Sequence, residues 1–254
     1  LLSDNTGVIF NFHDSLQLAK STNILLNDDN VRAQMSISGL QKTAFTAWEN
    51  TAIAYTLLFE KILQSDKRLT YSLPEINLDH ILSMSQLLGI IQFSNGNQPD
   101  LESGYTLDDN ARALISVCMA EEGDEHPKYG EYIERYLNFI SFCQQEDGTL
   151  KNYVDKDGKF TAQNEDVLLE DSNGRAIWAL GYFILHGNRI HKSYIWTAEK
   201  AIRLTFPNLS RIKSPRSIAF AIKGLYYYFM KKPSPDLYDK IEMLANKLSE
   251  LYIS

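Results

Sequence analysis

From residue 104 onward, apolar residues recur at helical spacing in one segment after another. This periodicity constrains the fold more than any other feature of the chain. The segments run over about 108–121, 129–145, 173–186, 193–205, 216–231 and 236–252. Ala111, Leu114, Ile115, Cys118 and Met119 share a face in the first, and Ile133, Tyr136, Leu137, Ile140 and Cys143 in the second. Such amphipathic segments are helices that must bury one side. Short connections containing Gly, Pro or Asn join them in pairs, which predicts antiparallel hairpins. With 44% hydrophobic and 22% charged residues, the chain has enough apolar material to cover those faces.

The pairs are repeats. Asp-Asp-Asn-Ala-Arg-Ala at 108–113 and Asp-Ser-Asn-Gly-Arg-Ala at 171–176 agree at four of six positions, 63 residues apart. Ser214 to Leu225, "SPRSIAFAIKGL", is a fainter third copy. A repeated helix pair implies a solenoid or a closed ring of hairpins, the α/α toroid. In such a ring every second helix lies inside, and the loops that start the inner helices gather on one end face. Asp108, Asp109, Asn110, Glu170, Asp171 and Asn173 are therefore expected on one rim.

Two readings of that rim stand side by side. In the first it is a ligand groove: acids, amides and the flanking Arg112 and Arg175 suit sugar hydroxyls, and Tyr105 and Tyr153 supply stacking faces. Trp178, inside an apolar run, is expected in the core. In the second reading the pattern only starts helices. Thr106 and Asp109 fit a capping box. Acids in a first turn suit the helix dipole, and Asp108–Arg112 and Asp171–Arg175 are i, i+4 pairs. Each effect contributes about 0.3–1 kcal/mol.

The rest of the chain is organised differently. Residues 1–63 read as a short strand, "TGVIFNF", followed by three helices. The first is capped by Asp14 or Ser15, the second by Asp28 or Asp29, and the third runs from about Phe45 to Leu63. One strand makes no sheet, so this segment is expected to be the tail of an α/β domain whose body lies upstream. Residues 64–76 read as a linker, and a further helix is expected over about 77–87. Between the first two hairpins, Asp-Gly steps at 147–148 and 157–158 flank β-prone runs, which predicts a small hairpin or an ordered loop.

Several functions are excluded or disfavoured. The formal net charge of −7 argues against general nucleic-acid binding. The most basic stretch, Arg203 to Arg216, holds four cations and reads as a solvated helix end. No apolar run approaches the ~20 residues of a membrane span. Cys118 and Cys143 sit in apolar helical patterns and are expected to be reduced, which fits a cytoplasmic location. His13, His80, His126, His186 and His191 lack metal-ligand spacing, and neither a phosphate-binding glycine loop nor a nucleophile elbow occurs. No metal and no cofactor is expected.

Residues 1–63, through "TGVIFNFHDSLQLA", "LLNDDNVRAQM" and "AYTLLFEKIL", resemble the C-terminal end of retaining, nucleotide-sugar-dependent glycosyltransferases with two Rossmann-like lobes, the group 1 family. That family's donor-site residues lie upstream of the matching stretch, so no transferase catalytic residue is carried over. Residues 73–254 resemble a helical domain fused behind such enzymes in bacteria, through "GYTLDDNARALI", "YLNFISFCQQEDGTLKNYV", "LEDSNGRAIWALGYF" and "SPRSIAFAIKGL". This second domain is similar to the six-hairpin, α/α-toroid class of carbohydrate-active enzymes. The resemblance implies a mainly α fold, an incomplete ring preceded by a small α/β remnant, that acts in polysaccharide or glycoconjugate metabolism. If the domain cleaves glycans, Asp108 or Asp109 would act with Glu170 or Asp171, with carboxyls ~5–5.5 Å apart for retention or ~6.5–9.5 Å for inversion. The alternative is a non-catalytic glycan-binding or protein-interaction scaffold. A glycan is the expected partner, and the open edge of an unclosed ring is a candidate homodimer contact.

Overall fold

The computed structural model describes residues 6–63, 76–121, 128–187 and 192–253. The expected linker, except Ile76, and His126 and His191 lie outside the described residues. The chain divides into two compact units, Leu1–Pro74 and Glu75–Ser254.

In the first unit, Asp14 caps α1 (Ser15–Asn27) by accepting the Gln17 N–H at 2.8 Å. Asp28 caps α2 (Asp29–Thr43) by accepting from Asn30 and Val31, and α3 covers Trp48–Leu63. The expected strand is absent: residues 7–11 have no regular structure. A strand needs a hydrogen-bonded neighbour, and the described residues of this unit contain none. No described side chain of α1, α2 or α3 is buried.

The second unit is mainly helical. α4 (Asp79–Ser83) is shorter than the helix expected over 77–87. After Met84 the chain turns back, with Ser85 bridged to Ile90 and the Met84 carbonyl accepting from Ile91. A two-residue hairpin follows, β1 (Ser94–Asn95) with β2 (Gln98–Pro99), its turn made by Gly96 at φ +63°. Gly96-Asn97 fills the two central positions, the Gly-first pattern of a type II′ hairpin turn. β3 (Tyr105–Thr106) leads directly into α5 (Leu107–Glu121), which is followed by α6 (Gly130–Cys143). β4 (Tyr153–Val154) pairs antiparallel with β3, Tyr105 opposite Val154. Both Asp-Gly steps form tight turns, with Gly148 and Gly158 at φ near +80°. The expected hairpin appears as isolated bridges, Gln144–Leu150 and Val154–Phe160, because β4 takes β3 as its ladder partner. A one-turn helix, α7 (Gln163–Asp166), precedes α8 (Glu170–His186). Then come α9 (Lys192–Leu204), a 3-10 turn (Phe206–Arg211), α10 (Pro215–Lys231) and α11 (Pro235–Ile253).

The helices form two layers. α5, α8 and α10 lie side by side, and α6, α9 and α11 pack against them from one side. Glycines set the tightest seam. A Cβ on Gly181 would meet the Gly224 carbonyl, one on Gly224 would meet the Ile177 carbonyl, and one on Gly174 would lie 2.8 Å from the Ser217 carbonyl oxygen. Gly174 faces Ser217 and Gly181 faces Gly224 at the same sequence offset, so α8 and α10 run parallel. Their backbones approach as closely as two helices can when one lacks side chains at the contact. Between the layers lie fully buried side chains including Leu114, Ile133, Tyr136, Leu180, Phe183 and Tyr228. The Tyr136 hydroxyl lies 2.6 Å from the Ser85 hydroxyl, which ties the segment before α5 to α6. Cys118 and Cys143 are buried and not in a disulfide, and burial raises the Cys143 thiol far above its ordinary value. Among the described residues, no helix is long and apolar enough to cross a membrane.

Candidate functional site

The starts of α5, α8 and α10 lie at one end of the second unit, as the repeat predicts, but their polar side chains are engaged with the fold itself. Asn110 is fully buried. Its Oδ1 accepts the Ile90 N–H at 2.9 Å, and its Nδ2 donates to the Thr106 carbonyl at 2.8 Å and the Ile90 carbonyl at 3.4 Å. Asn173 repeats the arrangement: Oδ1 accepts from Leu150 at 3.1 Å, and Nδ2 donates to the carbonyls of Leu150 and Leu169. In both copies the amide grips both backbone groups of one residue in the preceding loop and the carbonyl four residues back, just before its own helix. Only a side chain carrying both a donor and an acceptor can do this.

The acids form a ladder between neighbouring helices. Asp108 Oδ1 accepts from Arg175 Nη1 of α8 at 2.7 Å, and its Oδ2 lies 3.4 Å from Arg112. Asp171 pairs with Arg216 of α10 and accepts from the hydroxyls of Ser217 at 2.7 Å and Ser214 at 3.2 Å. The Asp108–Arg112 pair is thus present, whereas Arg175 reaches across to α5 and leaves Asp171 to Arg216. Burial works against the charge on Asp171, but the hydrogen bonds from Ser217 and Arg216 and the Arg216 charge outweigh it, holding the carboxyl below its ordinary range. Thr106 takes the capping role: its Oγ1 accepts the Asp109 N–H at 3.1 Å and donates to Asp109 Oδ2. Arg112 closes on the other Asp109 oxygen. Glu170 Oε2 accepts the N–H groups of Lys213 at 2.9 Å and Ser214 at 2.6 Å, fixing the turn into α10.

Of the expected stacking residues, Tyr105 is buried, 5.8 Å from the Phe139 ring, with its hydroxyl turned to the Leu88 backbone. It belongs to the core. β-pairing accounts for this, since residues alternate faces along a strand and this one faces α6. Tyr153, on β4, is half-buried. Trp178, expected in the core, is half-buried at the α8–α10 seam. Arg175, Phe220, Trp178 and Lys223 form a continuous stack there: Arg175 lies 5.1 Å from the Phe220 ring centre, the two rings are 5.5 Å apart and nearly parallel, and Lys223 Nζ is 3.8 Å above Trp178.

Glu170 and Asn173 lie one turn apart on α8. They border a groove of about 340 Å³ between residues 149–151, the start of α8 and the turn before α10. Leu150, Leu169 and Ile212 supply its apolar surface, and Thr149, Lys151, Glu165 and Arg211 its polar edges. Lys151 Nζ lies 3.2 Å from Glu165, and Arg211 donates to Asn208 Oδ1 at 3.3 Å. Charges of both signs beside apolar walls suit a ligand with many hydroxyls. Lys151, Glu165 and Arg211 carry no pattern in the sequence, because three loops assemble them. Asn164 likewise escapes sequence reading. It is buried and grips Asn152 and Tyr153 through both ends of its amide, and Asn152 in turn accepts the Asp108 N–H at 3.1 Å. Among the described residues no cluster of His, Cys, Asp and Glu could hold a metal ion. Compared with known proteins, the chain matches no family model and no curated sequence.

Proposed function

We propose that the second unit is a glycan-binding helical module, half of an α/α toroid, in which the rim acids are architectural and the sugar occupies the groove beside Glu170. The observation that carries this reading is the groove beside α8. Asp171 and Arg175 are spent on the helix ladder and Glu170 and Asn173 on the adjoining loops, while Thr149, Lys151, Glu165 and Arg211 edge an open groove with polar groups of both signs. The parallel helices α5, α8 and α10, each with an outer partner, support the half-ring. The first unit is proposed, by its resemblance, to belong to a glycosyltransferase lobe, and the absence of buried side chains in its described helices suits helices that pack on a larger body. The buried cysteines, neither in a disulfide, suit a cytoplasmic polypeptide of polysaccharide or glycoconjugate metabolism.

Calorimetric titration with a panel of neutral and acidic oligosaccharides tests the reading. At least one class binds, Arg211→Ala weakens it by about tenfold through loss of a charged hydrogen-bond donor, and Asp109→Asn leaves it unchanged. The same mixtures are assayed for new reducing ends. Release of reducing ends that stops in Glu170→Gln would replace the binding reading with the hydrolytic one, and binding by no oligosaccharide would end both.

A further inference from the structure

Trp196 stands outside the packing that builds α9. The helix buries Ala198, Ala201 and Ile202, with Ile195 packed beside them. Trp196 points away from this stripe and is 65% exposed. Leaving an indole in water forgoes the burial of a large apolar ring, and nothing in the helix packing demands it. Four and seven residues further on, on the same helix face, stand Lys200 and Arg203. With Glu199 and Leu204 these residues line a depression of about 380 Å³. The Glu199 carboxylate is already neutralised by Lys232, whose Nζ lies 2.5 Å away. Arg203 is held in place by α10: its Nε donates to the Tyr228 hydroxyl at 2.9 Å, and its guanidinium lies 5.3 Å from that ring's centre. Lys200 Nζ sits 5.7 Å from the Trp196 ring centre. The depression therefore offers an open aromatic face bordered by two cations, and the one carboxylate lining it is paired, on a chain of net charge −7.

We propose that Trp196, Lys200 and Arg203 form a second glycan site, on the outer helix layer, specific for a sugar residue that carries an anionic group. The apolar C–H face of the sugar ring lies on the indole, and its carboxylate or sulfate is met by Lys200 and Arg203. A uronate sugar and a sulfated sugar present the same chemistry. The site shares a ligand class with the proposed function but none of its residues, so either can fail alone.

The test is calorimetric titration of the full chain, and of its Arg211→Ala variant, with four probes: a galacturonic-acid tetrasaccharide, a sulfated galactose tetrasaccharide, the neutral galactose tetrasaccharide and polyglutamate. An acidic tetrasaccharide binds in both proteins. Trp196→Ala weakens it by about tenfold and Trp196→Phe by less, as expected for loss of ring stacking. Lys200→Ala weakens the acidic probe by about fivefold and leaves the neutral one unchanged, and ~0.5 M salt has the same selective effect. Both side chains are exposed, and unchanged thermal unfolding of the variants confirms that the fold is intact. Equal binding by wild type and Trp196→Ala, equal binding of polyglutamate, or no binding of either acidic tetrasaccharide in the Arg211→Ala background would overturn the proposal.

Discussion

Asp108 on α5 holds Arg175 on α8 at 2.7 Å, with both side chains about four-fifths buried. The next step of the ladder, Asp171 to Arg216, repeats the contact between α8 and α10. A partly buried, charge-assisted pair joining two helices is worth more than an exposed pair within one helix. Asp108→Ala is expected to destabilise the second unit by about 1–2 kcal/mol. A double-mutant cycle with Arg175→Ala, read by urea unfolding, should give a coupling of about 1 kcal/mol. The Asp108–Arg112 cycle should give less than half of that, because Arg112 is half exposed and its bond to Asp108 is long.

The buried amides predict a second effect. Asn110→Ala and Asn173→Ala each leave an N–H and carbonyls without their partners, at a cost of about 2–3 kcal/mol. Hydrogen exchange locates the damage: the Ile90 amide loses protection in the first variant and the Leu150 amide in the second, while the other stays protected. Exchange at both amides unchanged from wild type would mean that the clamps do not hold the loops.

Glycines offer a steric comparison. Gly181→Ala drives a methyl group into the Gly224 backbone, which cannot give as a side chain could. The expected cost is about 3 kcal/mol or more, at the upper end of overpacking effects. Gly39, within α2, has nothing within 4 Å of an added Cβ, so Gly39→Ala should stabilise that helix by about 0.5–1 kcal/mol. Thermal unfolding of the two variants should therefore shift in opposite directions.

Asp171 carries a pH dependence of known sign. Its folded pKa is lowered, so its stabilising contribution is complete above the unfolded value of about 3.9 and is lost as pH falls through the folded value. Asp171→Asn should lower the urea midpoint at pH 7. The gap from wild type should narrow as pH falls from about 4 through the folded value, where wild-type Asp171 becomes protonated. A gap of constant size across that range would show that the charge is not what stabilises.

The free edge of α10 bears on association. Ala219, Tyr226 and Met230 lie on the side of the helix opposite the Gly224 seam, and Tyr226 and Met230 are each about half exposed. If this edge joins two copies, as the proposed half-ring suggests, sedimentation equilibrium shows a dimer that Tyr226→Lys converts to monomer. A wild-type monomer at ~100 μM would remove the dimer proposal, since a specific interface of standard size binds more tightly than that.

How much of this was legible beforehand depends on the distance between interacting residues. The apolar period placed the helices from Leu107 onward to within a few residues, and the repeat placed their polar starts at one end. Asp14 and Asp28 as caps, and Thr106 with Asp109, were readable because each acts within three residues of its own position. The strand expected near residue 8 failed for the same reason in reverse: its existence depended on a partner elsewhere, and none is present among the described residues of that unit. By itself, then, the sequence determined the mainly helical class, the hairpin repeat and the polarity of its ends, all consequences of local geometry. The tertiary structure alone decided that Arg175 takes Asp108 instead of Asp171, that Asn110 and Asn173 grip loops 20 and 23 residues away, and that Glu170 lies beside a groove while Asp171 does not. Those outcomes follow from contacts between segments 20 to 67 residues apart in the chain, which no window of local sequence contains.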